Sequence, residues 1–261
     1  FKDKKFTFMI LGPICSRSCG FCGVDKSKAA SFSVDNDESN RIARVAQILG
    51  LSYVVITSVT RDDLPDGGAS RFAETIESIH ALHKDIEVEV LIPDFQGKIS
   101  GLERVLKAGP AVVAHNIETV RRLYPELRPS AGYQLSLNIL SKIKELSSHI
   151  YTKSSIMLGF SEAREEVIAT MEDLREHSCD ILTLGQYLAP SVKHYPVKEF
   201  ISIEQFQEYQ DIGINMGFKA VSSWPKVRSS YQAEELYKEC FDWAQHPERA
   251  KRVEGLSLCM I

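Results

Sequence analysis

Three cysteines stand together near the start of the chain, in the run Cys15-Ser-Arg-Ser-Cys19-Gly-Phe-Cys22. A C-x3-C-x2-C triplet on one loop presents three thiolates, and thiolate ligation is what iron–sulfur centres require. Three ligands leave the fourth iron of a cubane open to a substrate or cofactor. Gly20 allows the backbone to bend closely round an inorganic core, and Phe21 is placed to shield one side of it from water. A structural zinc site competes with this reading. Zinc takes four closed ligands, commonly in paired C-x2-C spacing, and the next imidazole along the chain is His80. Cys179, Cys240 and Cys259 are scattered and read as small buried hydrophobes. Such a pattern fits metal or redox chemistry in a reducing compartment, because a secreted disulfide scaffold is shorter and denser in cysteine.

The loop needs a rigid support, and the flanking sequence supplies one. Short β-branched runs alternate with segments of helical period. Strands are expected over 6–11, 53–57, 87–92, 112–117, 153–158 and 181–185, with a short one over 219–223 closing the series. Helices are expected over 39–50, 71–82, 101–108, 136–146, 165–176 and 204–216. The first carries Ile42, Val45, Ala46 and Leu49 on one face and stops at Gly50. Six strands alternating with helices imply a parallel sheet with right-handed crossovers. Polar residues end several strands: Thr57, Asp94, His115-Asn116 and Gln186. That favours an α/β fold of the partial (β/α)6, TIM-like barrel kind with its site at the C-terminal rim. No linker or repeat divides the chain, so 1–261 reads as one domain with a C-terminal extension from about residue 225.

Composition closes off other classes. The 261 residues carry 31 Lys and Arg against 35 Asp and Glu, a net charge of −4, which leaves no basic footprint for nucleic acid. No apolar run approaches the roughly 20 residues that span a bilayer, and no signal-peptide pattern opens the chain. A cytoplasmic protein is expected.

The cysteine loop resembles the signature of the radical S-adenosylmethionine (SAM) superfamily, whose members use partial or complete β/α barrels. Further segments are similar to the lipoyl synthase family: Phe8-Met-Ile-Leu-Gly12, Thr57 to Ala69, Val90-Leu-Ile-Pro-Asp-Phe95, His115-Asn-Ile-Glu-Thr119, Arg121-Arg-Leu-Tyr124, Arg128-Pro129, Thr152-Lys-Ser154, Gly185-Gln-Tyr-Leu188 and Val227-Arg-Ser-Ser-Tyr231. They occur in order over most of the chain. The resemblance implies a [4Fe–4S] cluster held by Cys15, Cys19 and Cys22, with SAM chelated to its open iron. It further implies reductive cleavage of SAM to methionine and a 5′-deoxyadenosyl radical, and insertion of two sulfur atoms at C6 and C8 of a protein-bound octanoyl-lysine. The substrate would sit on an octanoylated lipoyl carrier domain or H-protein, and a ferredoxin or flavodoxin would supply electrons.

Residue by residue, the resemblance places Thr57 and Ser58 beside SAM. The Arg61-Asp-Asp-Leu-Pro-Asp-Gly-Gly68 loop after them reads either as part of that site or as a helix-capping turn shaped by Asp66. Asn116 and Glu118 end a buried strand, where polar groups must find partners, and a ribose hydroxyl or the methionine ammonium would serve. His115 reads as a core histidine. Lys153 and Gln186, with Tyr187, are further candidates at the SAM or substrate pocket. In the family the serine before the tyrosine of the tail motif ligates a second, auxiliary [4Fe–4S] cluster that donates sulfur, which is Ser230 here, with Arg228 helping to hold that region.

One departure stands out. The family takes the other auxiliary ligands from an N-terminal C-x4-C-x5-C motif, and this chain, starting at Phe1, has none. Either the native chain extends further, or the ligands come from a partner chain or from elsewhere, Cys240 and Cys259 among them. Two other functions stay open at this point: a biotin-synthase-like sulfur insertion, and a non-catalytic, zinc-stabilised binding module.

Overall fold

The computed structural model describes residues 5–230 and 232–245. Seven strands lie in one sheet in strict chain order: β1 (Lys5–Ile10), β2 (Tyr53–Ser58), β3 (Glu87–Leu91), β4 (Val112–Ala114), β5 (Tyr151–Leu158), β6 (Ile181–Gln186) and β7 (Ala220–Ser223). Every neighbouring pair is parallel. The helices are α1 (Glu38–Leu49), α2 (Ala69–Leu82), α3 (Ile99–Lys107), α4 (Tyr124–Leu127), α5 (Tyr133–Leu146), α6 (Arg164–Glu176), α7 (Ile203–Asn215) and α8 (Ala233–Gln245). Right-handed crossovers that always step the same way put their helices on one face of the sheet. The other face then leaves water only if the sheet curls on itself, which makes a barrel. Among the described residues no ladder joins β7 to β1, so the barrel is partial. The short strand expected over 219–223 is a full member, paired to β6.

Alternation along the strands sorts the side chains into two cores. Val54, Ile56, Val90, Val113, Ile156 and Leu184 meet Phe72, Ile76, Leu102, Leu137, Met171 and Phe206 of the helices in the larger one. The alternate residues Tyr53, Val55, Val112, Ile181 and Ala220 face the barrel interior, and α8 stoppers its lower end with Ala233, Leu236, Tyr237 and Cys240. The Tyr237 ring packs against Tyr53 and Tyr151. This closing helix lies within the C-terminal extension beyond residue 225. Cys240 is fully buried in that apolar floor, at the opposite end of the strands from Cys15, so it is not placed to serve an auxiliary cluster. Cys259 lies outside the described residues.

Two local expectations change. In α1 the buried face is Ile42, Ala43 and Ala46, while Val45 and Leu49 are exposed. And β4 leaves the sheet at Ala114 instead of running to Ile117. The chain then rejoins at Glu118 alone, whose N–H donates to Ser155 O at 2.9 Å while its carbonyl accepts from Met157 N at 2.8 Å. Glu118 has φ +68°, a conformation costly for a non-glycine residue and held here by that bridge. The detour turns 115–118 into a polar rim.

Lys153 lies deeper than the sequence suggested. Its Nζ donates to both oxygens of Glu89, at 2.8 and 3.1 Å, and Tyr53 OH donates to Glu89 at 2.9 Å. Both charges are buried in the barrel interior, so the ammonium is committed to Glu89 and does not line the cleft described below. Lys153→Met leaves Glu89 unpaired, and urea unfolding should show a loss of about 3–5 kcal/mol. Adding Glu89→Leu to that variant should recover most of the loss.

Candidate active site

The cysteine loop starts where β1 ends and is pinned from four sides. Cys15 N–H donates to Asp25 O at 2.8 Å, Ser16 N–H to Thr60 O at 2.9 Å, and Gly20 N–H to Leu127 O at 2.9 Å, while Gly20 O accepts from Tyr195 N at 3.0 Å. A Cβ at Gly20 would meet only the Glu126 and Leu127 carbonyls, at 3.8 and 4.0 Å. Its backbone groups therefore matter here, and the absence of a side chain does not. Phe21 faces Phe160, which packs against Tyr187 and Tyr195 in an aromatic wall. All three loop cysteines are free and partly exposed.

Arg17, between the first two cysteines, does the most to place the loop. Its guanidinium holds Asp62 at 2.7 and 2.9 Å and Asp94 at 2.6 and 2.7 Å. Asp62 follows β2 and Asp94 follows β3, so one side chain ties the loop to two strand ends. Burial works against charge on Asp94, but the Arg17 guanidinium outweighs it and keeps the carboxyl below its ordinary range. The rest of the 61–68 loop is structural. Arg61, buried, takes Asp63, Leu11 O and Phe32 O, and Asp66 accepts from Gly68 N and Ser70 N at the start of α2.

Above the strand ends lies a cleft lined by Arg17, Thr57, Ser58, Thr60, Asp94, His115, Asn116, Glu118 and Arg128, with Leu91, Ile92 and Pro93 as its apolar wall. Four of the predicted residues thus come together: Thr57, Ser58, Asn116 and Glu118. Four polar atoms of the lining are buried without a partner among the described residues: Ser58 Oγ, His115 Nε2, Asn116 Oδ1 and Arg128 Nε. Buried polar groups are normally satisfied, so this concentration marks a place that a polar ligand completes. Asn116 Nδ2 donates to Glu118 at 3.1 Å, which leaves its Oδ1 as the free end. Burial raises the Glu118 carboxyl above its ordinary value, against the pull of Arg128 and Asn116. Burial, reinforced by Arg128, lowers His115 from 6.5 to about 4; its Nδ1 sits 2.9 Å from Ile92 O. His115, read as a core histidine, is thus a neutral ring with one nitrogen left over in the cleft.

Gln186 lies elsewhere. Its Nε2 donates to Leu158 O, Tyr187 O and Glu199 O, and its Oε1 accepts from Ile201 N. The amide is used up in tying β6 to the segment before α7. Tyr187 is buried, with its OH on Tyr195 O at 2.7 Å. Arg228 is exposed and donates to Val227 O at 2.8 Å and Gln186 O at 3.3 Å, so the tail motif reaches the β6 rim. A Cβ at Gly185 would stand 2.1 Å from Val227 O, and only glycine lets that segment lie so close. Ser230 is partly exposed, and Tyr231 lies outside the described residues. Sequence reasoning missed Arg17, Thr60 and Arg128 as site residues. Arg17 could have been found as the one charge inside the cysteine triplet.

Among the described residues no three His, Cys, Asp or Glu side chains converge closely enough for a single metal ion. A mononuclear zinc site needs all its ligands within about 2.0–2.3 Å of one point. A cubane binds each thiolate to a different iron, which suits three cysteines spread along one loop.

Two measurements check this geometry. Arg17→Ala strands the buried Asp94 carboxylate, so the loop should lose its seat. Iron uptake on anaerobic reconstitution should drop several-fold, with a stability loss of about 3 kcal/mol. The second concerns His115. Because its folded value lies below 6.5, its contribution is complete above that pH and is lost as the pH falls toward about 4. The metal-free protein should weaken by up to about 3 kcal/mol across that window, and His115→Gln should flatten the pH dependence of urea unfolding.

The Radical SAM superfamily profile matches residues 9–174. A lipoyl synthase of Aquifex aeolicus is 55% identical over 233 residues, covering 89% of this chain and 84% of that protein. One of Caldicellulosiruptor bescii is 52% identical, covering 90% and 80%. Among solved structures, SuiB of Streptococcus suis bound to S-adenosylmethionine superposes with a TM-score of 0.68 at 13% identity, over 87% of this chain and 52% of that one. Methylornithine synthase gives 0.62 at 14%, over 84% and 71%. The structural likenesses carry the fold, and the sequence likenesses carry more: the chain belongs to the lipoyl synthase family of the radical SAM superfamily.

Proposed function

We infer that this chain inserts two sulfur atoms into an octanoyl chain amide-linked to a lysine, at C6 and C8, to form the lipoyl group. One observation carries the reading: a chain more than half identical to a lipoyl synthase seats its cysteine loop, through Arg17, beside a cleft holding four unpartnered polar atoms. Cys15, Cys19 and Cys22 would hold the [4Fe–4S] cluster, and Ser58, His115, Asn116, Glu118 and Arg128, with Thr57, would receive SAM. When bound, these groups supply the radical that removes a hydrogen from an unactivated carbon. The chain does the rest. The Leu91–Pro93 wall excludes water, Arg17 fixes the loop against the strand ends, and the unpaired atoms orient the ligand.

The second half of the reaction rests on the tail. Ser230, with Arg228 beside it, would take part in holding an auxiliary cluster as the sulfur source. A serine oxygen is a hard ligand for iron, easier to release than a thiolate, which suits a cluster that is consumed. An octanoylated lipoyl carrier domain or H-protein would present the substrate, and a low-potential donor such as a ferredoxin or flavodoxin the electrons. The free cysteines fit a reducing cytoplasm, and no helix among the described residues is long and apolar enough to cross a membrane.

The test uses an octanoyl-lysine peptide with the full-length product and measures 5′-deoxyadenosine and lipoyl product together. Cys15→Ala, Cys19→Ala and Cys22→Ala should each abolish both. Ser230→Ala should keep SAM cleavage and lose the lipoyl product, with Ser229→Ala milder. A colourless, zinc-loaded wild type would overturn the reading. Undiminished lipoyl formation by Ser230→Ala would remove the tail motif from it.

A further inference from the structure

Three arginines are buried around the cysteine loop, and their charges meet different fates. Arg17 is neutralised by Asp62 and Asp94, and Arg61 by Asp63. Arg128 has no such partner among the described residues. Its hydrogen bonds all run from Nη1, to Asn116 O at 3.1 Å, Ile117 O at 3.2 Å and Tyr124 OH at 2.6 Å, and its Nε is unpaired. The guanidinium also lies over the Tyr124 ring, 5.1 Å from its centre. Burial works against the charge, and the fields of Tyr124, Glu118, Cys19 and Asp94 outweigh it without an ion-pair contact.

Position says what the charge faces. The residue before it, Leu127, accepts the hydrogen bond from Gly20 that anchors the cysteine loop, so Arg128 is one residue from that anchor. It lines the cleft beside Asn116 and Glu118. Its positive field reaches Cys19, and the Glu118 carboxylate opposes it there. We propose that Arg128 is a positioning residue of the redox step: its guanidinium, in ion-pair contact with no carboxylate among the described residues and seated behind the Gly20 anchor, stabilises the reduced state of the cluster carried by the cysteine loop. The step is a one-electron transfer from a low-potential donor. No bond breaks, no proton moves, and the cluster gains one negative charge. A fixed cation nearby favours the state with that extra charge, since net charge and hydrogen bonding set cluster potentials. Glu118, across the same cleft, acts with the opposite sign.

The proposal rests on the cluster reading above, and its test separates the two. The reconstituted protein, without SAM, is titrated anaerobically with dithionite at about pH 8, above the ordinary carboxylate range, and the reduced cluster is followed by electron paramagnetic resonance. Arg128→Gln should disfavour reduction about tenfold, a shift of about 59 mV to more negative potential. Arg128→Lys, which keeps the charge, should stay near wild type. Glu118→Gln should shift the other way. A reversal of sign between two neighbouring residues is something a purely structural role does not produce. Arg128→Gln with full iron and sulfide content and an unchanged potential overturns the proposal, as does Glu118→Gln moving in the same direction. If Arg128→Gln does not take up iron, Glu118→Gln decides: a positive shift supports the proposal and any other result overturns it. A wild type that binds no iron fails the cluster reading instead.

Discussion

A thiolate loop that must receive an inorganic cluster cannot rely on a hydrophobic core of its own, and in this chain electrostatics holds it. Arg17 lies inside the cysteine triplet and spends its guanidinium on Asp62 and Asp94. Those carboxylates sit just beyond the ends of β2 and β3, so the loop inherits the rigidity of the sheet. Bidentate arginine–carboxylate pairs fix orientation as well as distance. The neighbouring Arg61-Asp-Asp run follows from this need: one aspartate for Arg17, one for Arg61, and Arg61 itself clamping the carbonyls of Leu11 and Phe32.

Inside the barrel, polarity is graded along the axis. The floor is apolar and aromatic, closed by α8 through Leu236, Tyr237 and Cys240. Above it the ion pair of Lys153 with Glu89 is sealed and satisfied, with Tyr53 completing the carboxylate. At the rim the pattern inverts, and Ser58, His115, Asn116 and Arg128 keep polar atoms without partners. Satisfied charges below and unsatisfied groups above make the interior stiff where it supports and receptive where it binds. The strained backbone at Glu118 belongs to the same region, held by its bridge to β5.

The cysteine spacing, the strand–helix alternation and the polar strand ends were all legible along the chain, because each depends on neighbours a few residues apart. Thr57, Ser58, Asn116 and Glu118 were found that way, as polar groups closing apolar runs. Gln186 met the same criterion and the family resemblance added Lys153 at the start of a strand, yet their side chains are consumed by the backbone of 199–201 and by Glu89. Nothing local distinguishes a polar strand residue that faces a cleft from one whose partner lies two strands away.

The sequence by itself determined the chemistry on offer: three thiolates on one loop, parallel βα units to carry them, and the family to which the pattern belongs. Only the tertiary structure decided which charges neutralise one another. Arg17 and Asp94 are separated by 77 positions and Lys153 and Glu89 by 64. Such pairs are set by how the sheet curls and where β4 breaks off. Hydrophobic periodicity records which face of an element is buried; it does not record which buried cation meets a carboxylate and which, like Arg128, is left to act on the loop beside it.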